Sequence, residues 1–106
     1  MITWKILNME RLPSHDGRSN VINNVYWCCY DSNESGSYGH CFGNEYLDIS
    51  SLDSFTDWSS VTEETVIEWL KASLALDPNN MEQIENAVQY GMDNGLHQEF
   101  QIGVPW

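Results

Sequence analysis

Val61-Thr62-Glu63-Glu64-Thr65-Val66-Ile67-Glu68-Trp69-Leu70-Lys71-Ala72-Ser73-Leu74-Ala75-Leu76 is the stretch that decides the fold class. Thr62 is a natural N-cap, Glu63 and Glu64 suit the positive end of a helix dipole, and Val61 can staple onto Val66. Val66, Ile67, Leu70 and Leu74 recur at helical spacing and make one apolar stripe, so a helix is predicted from Glu63 to Leu76. Asp77-Pro78 stops it. Downstream, Asn79 or Asn80 is expected to cap a second helix whose inward stripe is Ile84, Val88 and Met92 with Ala87 and Gly91, and Gly95 is expected to close it.

Upstream of Val61 the period changes from helical to alternating. Ile2, Trp4 and Ile6 alternate with Thr3, Lys5 and Leu7, a strand with one apolar face. Glu10 to Asn20, with Pro13, Gly17 and scattered charges, reads as a loop. Val21 to Tyr30 carries two alternating sets, Val21/Val25/Trp27/Cys29 and Ile22/Tyr26/Cys28/Tyr30, as expected of a long strand with aromatic residues on both faces. Asp31 to Gly36 is a polar turn into Tyr38/His40/Phe42, so an antiparallel hairpin is predicted. Asn44 to Ser60 reads as a short strand or edge followed by an ordered loop. Strands first and helices afterwards predict an α+β fold: an antiparallel β-sheet of three to four N-terminal strands with two α-helices packed on one face. The length of 106 residues fits a single domain over 1–106.

Sixteen acidic residues oppose four basic ones, Lys5, Arg11, Arg18 and Lys71, for a formal net charge of -12. That balance argues against nucleic acid phosphates and anionic membranes as partners. Residues 1–50 hold six acids and three bases, whereas residues 51–106 hold ten acids and Lys71 alone, so the acidity belongs to the C-terminal half. Five Trp, five Tyr and three Phe are incompatible with a disordered acidic tail. No apolar run approaches the roughly 18 residues of a membrane span and no signal-peptide pattern opens the chain, so a cytoplasmic location is expected.

Cys28, Cys29, Cys41 and His40 fall on neighbouring strands and are the obvious candidate metal ligands. Adjacent strand residues point to opposite faces, so Cys28 and Cys29 cannot easily share an ion, and the C-x-x-C spacing of zinc sites is missing. Small buried hydrophobes are the better reading of these thiols. His15, His40 and His97 lie in different elements, the carboxylates Glu63, Glu64, Glu68, Glu82 and Glu85 have the spacing of solvated helix faces, and no phosphate loop or nucleophile elbow occurs. The expectation is a non-enzyme with no catalytic residue, cofactor or metal.

The aromatic residues are more informative. Trp4 and Trp27 sit on apolar strand faces and read as core. Trp69 lies on the flank of the first helix's stripe, where it either seals the sheet edge or protrudes, and Trp58 falls in an irregular segment. The ending Gly103-Val104-Pro105-Trp106 puts a large ring where order is least expected and is predicted to fold back toward the first strand. Trp58, Trp69, Pro105 and Trp106 are therefore the candidate interaction residues.

Ile2-Thr3-Trp4-Lys5-Ile6, Val25-Tyr26-Trp27, Tyr38-Gly39, Val61 to Leu70 and Gly103 to Trp106, in that order and spacing, resemble a family of small proteins of tailed bacteriophages of the marine and cyanophage type. The resemblance implies viral origin and supplies no activity. Together with the missing catalytic signatures it leads to the expectation of a virion structural or accessory protein: a head decoration, connector or tail subunit. Such a protein would bind capsid or tail proteins and copies of itself, and would reside in the host cytoplasm before assembly. The alternative expectation is an early acidic protein that binds and inhibits a host protein by nucleic-acid mimicry, motivated by the acidic C-terminal half.

Overall fold

The computed structural model describes residues 1–50, 56–95 and Pro105. Three strands, β1 (Thr3–His15), β2 (Arg18–Ser32) and β3 (Tyr38–Tyr46), form one antiparallel sheet in the order β1-β2-β3. A 3-10 turn (Trp58–Ser60) leads into α1 (Glu63–Leu74) and α2 (Pro78–Asp93), and both helices pack on the same face of the sheet. The α+β architecture is the expected one.

The segment expected to be a loop, Glu10 to Asn20, is instead the far end of a long hairpin. Arg18 pairs with His15 across the two-residue turn Asp16-Gly17, whose φ angles of 47° and 76° are both positive, as a type I′ turn requires. Pro13 does not break the ladder because β1 is an edge strand, where a residue without an N–H is tolerated. The strands are consequently 13 and 15 residues long, about 45–50 Å at ~3.3 Å per residue. They stretch the molecule into a slab of 51 × 38 × 17 Å with a radius of gyration of 15.7 Å, against about 13 Å for a compact chain of this length.

Two bulges shape the hairpin. Ile6 pairs with Trp27 and Asn8 with Tyr26, leaving Leu7 as the extra residue on β1; Glu10 pairs with Asn24 and Arg11 with Ile22, leaving Asn23 as the extra residue on β2. Each bulge switches which parity of residue faces the helices. On β1 the inward set passes from Ile2, Trp4 and Ile6 to Met9. On β2 it passes from Cys29, Trp27 and Val25 to Ile22, so Ile22 joins the core cluster and not the face of Tyr26, Cys28 and Tyr30 that strict alternation assigns it.

The core is completed by Val66, Leu70 and Leu74 of α1 and by Ile84, Val88 and Met92 of α2. Ile67 is only half-buried and Ala87 is exposed, so the predicted stripes are narrower in the fold than in the sequence. Thr62 caps α1, its Oγ1 accepting from the Thr65 N–H at 3.2 Å, and the helix ends at Leu74, short of Leu76. The cap of α2 is Asp77, not Asn79 or Asn80: its carboxylate accepts from the Asn79 N–H at 3.0 Å, with Pro78 in the first helical position. Asn80 instead donates its side-chain amide to the Leu74 carbonyl at 3.1 Å, fixing the corner between the helices. Gly95 follows α2 at φ 57°, the expected closing position. Between β2 and β3, Asn33 Oδ1 accepts from the N–H groups of Ser35 and Ser37, both at 3.0 Å, which builds the predicted polar turn. β3 runs on to Tyr46, so the start of the segment read as a short strand or edge from Asn44 is the end of β3. The predicted return of the tail to the first strand, including Trp106, lies outside the described residues.

Candidate interaction site

The Leu7 bulge opens the edge of the sheet where the chain comes back from the 3-10 turn into α1. The result is a cleft of about 350 Å³, walled on one side by Ile6, Leu7, Asn8, Met9 and Arg11 and on the other by Trp58, Val61, Thr62, Glu63 and Val66. The backbone donors of the edge strand beside it are already engaged. The Ile6 N–H donates to Glu63 Oε2 at 3.2 Å and the Met9 N–H to Asn8 Oδ1 at 2.9 Å. An incoming strand would have to displace these groups, so the cleft is suited to an inserted side chain and not to added β-pairing.

Trp58 forms its aromatic wall and is 37% exposed. The Arg11 guanidinium lies 4.4 Å from the Trp58 ring centroid, and Arg11 Nε donates to Asn20 Oδ1 at 3.1 Å. One of the chain's four bases is thus held over an indole at the mouth of a cleft that also carries the polar side chains of Asn8, Thr62 and Glu63. Trp69 has a different place: it is half-buried against the core cluster, so it seals and does not protrude. Pro105 is exposed, and Trp106 lies outside the described residues. Trp4 and Trp27 pack together with ring centroids 5.3 Å apart, and Lys71 Nζ sits 5.6 Å from the Trp4 centroid. Leu7 and Arg11 escaped the sequence reading because they belong to a bulge and to the hairpin end mistaken for a loop.

The opposite face of the sheet carries a second polar and aromatic group. Glu10 accepts from Tyr26 Oη and from Asn24 Nδ2 (2.9 Å), and Asn24 Oδ1 accepts from Asn44 Nδ2 at 3.3 Å, a network that crosses all three strands. Asn24 is fully buried beneath it. The two donors hold the Glu10 carboxyl below its ordinary range, and the same carboxylate pushes the Tyr26 phenol up.

The thiols do not assemble into a chemical centre. Cys28 and Cys29 face opposite sides of β2, both fully buried, and Cys29 stands directly opposite Cys41. Burial raises all three, Cys29 to about 12, which disfavours the thiolate that metal binding or nucleophilic attack requires. Among the described residues no group of three or more His, Cys, Asp or Glu side chains is arranged to hold a metal ion. His15 Nε2 lies 3.1 Å from the Ile49 carbonyl oxygen and pins the segment after β3 to the hairpin. Among the described residues no helix is long and apolar enough to cross a membrane.

A three-stranded antiparallel sheet backed on one face by two helices, with a tryptophan-walled cleft at its edge, defines a small two-layer α+β protein. The chain belongs to the family described as a domain of unknown function, DUF7936, whose model matches residues 1–106. No curated protein and no solved structure matches it.

Proposed function

We propose that this chain is a non-catalytic structural or accessory subunit of a tailed-phage particle, a head decoration, connector or tail component, that grips a larger phage protein through the Trp58 cleft. The carrying observation is the exposed indole of Trp58, stacked under Arg11 beside the apolar walls of Ile6, Leu7 and Val61. Aromatic and arginine side chains in a concave, largely apolar setting are the composition of interface hot spots. The phage resemblance of the N-terminal strand, the first helix and the Gly103-Val104-Pro105-Trp106 ending supports the same reading. On it the protein passes from the host cytoplasm to the virion at assembly. Mass spectrometry of purified particles tests it: the wild-type chain is expected in stoichiometric amounts and the Trp58→Ala chain is expected to be lost. Absence of the wild-type chain from particles removes the proposal.

A second reading draws on the helix layer, where Glu64, Glu68, Glu82, Glu85 and Asp93 are all exposed. On that reading the chain is an early protein that occupies the nucleic-acid site of a host enzyme. Pull-down from host lysate would then recover a DNA-binding enzyme, with recovery falling steeply between roughly 50 and 200 mM salt. Salt-insensitive recovery, or none, rejects it.

A further inference from the structure

Cys29 of β2 and Cys41 of β3 stand directly opposite each other across the antiparallel ladder, and the ladder fixes what kind of pair they make. At one end the Asn33 N–H donates to the Ser37 carbonyl at 3.0 Å, and at the other the Leu47 N–H donates to the Asn23 carbonyl at 2.9 Å. Hydrogen-bonded pairs recur at every second residue. The series therefore runs from Asn33/Ser37 through Asp31/Gly39 to Cys29/Cys41, and on through Trp27/Gly43 and Val25/Glu45 to Asn23/Leu47. A hydrogen-bonded pair holds its Cα atoms about 5.5 Å apart, inside the ~4.4–6.8 Å range that disulfides span.

Both side chains point toward the helices: Cys29 belongs to the core cluster and Cys41 packs against it. After burial, the nearness of Cys41 is the next cause of the raised Cys29 thiol. Cys28 stands opposite Phe42 and points to the other face of β2, so it reaches neither thiol. Access also differs within the pair, since Cys29 is fully buried whereas Cys41 is partly exposed on the last strand of the sheet. On its inner face Cys41 is flanked by Gly39, seated against the Val88 backbone, and by Gly43, seated under the Trp27 ring. A bond from Cys41 to Cys29 would thus tie β3 down between α2 and the core indole.

We propose that Cys29 and Cys41 are a two-electron redox pair: in a medium holding a low-molecular-weight disulfide they close a cross-strand bond that fastens β3 to β2, and in a reducing medium they stay thiols. The Cys41 thiolate attacks one sulfur of the small disulfide, whose S–S bond breaks; a mixed disulfide forms on Cys41, and the departing small thiolate takes up a proton. The Cys29 thiolate then attacks the Cys41 sulfur and expels the second small thiolate, which takes up the proton that Cys29 gave up. The protein loses two electrons and two protons, and one small disulfide becomes two thiols. The raised values of both cysteines make closure slow, on the scale of hours. The bond depends on neither reading of the function given above.

The test is incubation of the full chain with oxidised glutathione at about pH 8, followed by acid quenching and peptide mapping by mass spectrometry. The chain is expected to lose two hydrogens, with the peptide that holds Cys41 joined at Cys29 and with Cys28 left open to alkylation. Cys28→Ala should close within twofold of the wild-type rate, and Cys41→Ser should form no internal bond; fragmentation of the linked wild-type peptide between residues 28 and 29 gives the assignment if either variant fails to fold. Closing the short loop of residues 30–40 should raise the melting temperature by about 5 °C or more, and reduced glutathione should reverse the shift. A chain that stays reduced, that stops with glutathione held on Cys41, or that links through Cys28 or to another chain overturns the pair. An oxidised chain that melts no higher than the reduced one overturns the fastening of β3.

Discussion

Gly39 of β3 and Gly91 of α2 cross at backbone contact: a Cβ added to Gly91 would lie 2.7 Å from the Gly39 Cα. The same crossing brings Gly39 against the Val88 backbone. With no side chain on either strand or helix at this point, α2 settles directly onto β3, and Val88 and Met92 reach the core on either side of the crossing. A Cβ at either position would meet backbone, so a side chain there would push helix and strand apart.

Gly91→Ala separates this packing role from helix propensity. In an exposed helix the change would stabilise by about 0.8–1 kcal/mol. Here the methyl meets backbone, so overpacking of about 1–3 kcal/mol or more should win and lower the melting temperature by several degrees. Thermal unfolding monitored by circular dichroism checks it, and a raised melting temperature would mean that the crossing relaxes freely.

The two candidate caps of α2 differ in consequence. Asp77→Ala removes the acceptor for the Asn79 N–H and should cost about 0.5–2 kcal/mol. Asn79→Ala should stay within about 0.5 kcal/mol, because its exposed side chain takes no part in the cap. Urea titrations of both variants measure the difference, and equal losses would place the cap elsewhere.

Glu10 makes stability depend on acid. Its folded pKa is depressed by the Tyr26 and Asn24 hydrogen bonds, so its contribution is present above the unfolded value, about 4.3, and is lost as pH falls through the lower folded value. The difference in melting temperature between the wild-type chain and Glu10→Gln should therefore shrink between about pH 5 and pH 3. Tyr26 has the opposite edge: its folded pKa is raised, so its contribution is present at neutral pH and lost as pH rises above about 10. A pH-independent difference for Glu10→Gln would show that the carboxylate does not act through its charge.

How far the fold was legible in the sequence depended on whether a pattern was local. Thr62, Val66, Leu70 and Leu74 announce α1 within one segment, and Trp58 stood out as an aromatic residue outside any periodic element. The Asp16-Gly17 turn was also written locally, but Pro13 and the charges around it argue for a loop unless β1 is known to be an edge strand, which only the finished sheet reveals. The Leu7 and Asn23 bulges were not legible at all. A bulge is a mismatch between two strands, and neither strand alone contains it. For that reason the placement of Ile22 failed under strict alternation, and the cleft that the Leu7 bulge helps to wall was missed although one of its walls had been named.

The Arg11–Trp58 contact can be measured without reference to any partner. Arg11 is fixed at two points, by the indole face at 4.4 Å and by Asn20 Oδ1 at 3.1 Å. Replacing Arg11 by Met keeps much of the stem's packing and deletes the cation. A double-mutant cycle of Arg11→Met with Trp58→Leu should give a coupling energy of about 0.5–1 kcal/mol, the range for an exposed cation over a ring. Coupling near zero would mean that Asn20 alone orients the guanidinium, and the mouth of the cleft would then owe its shape to the hairpin turn and not to Trp58.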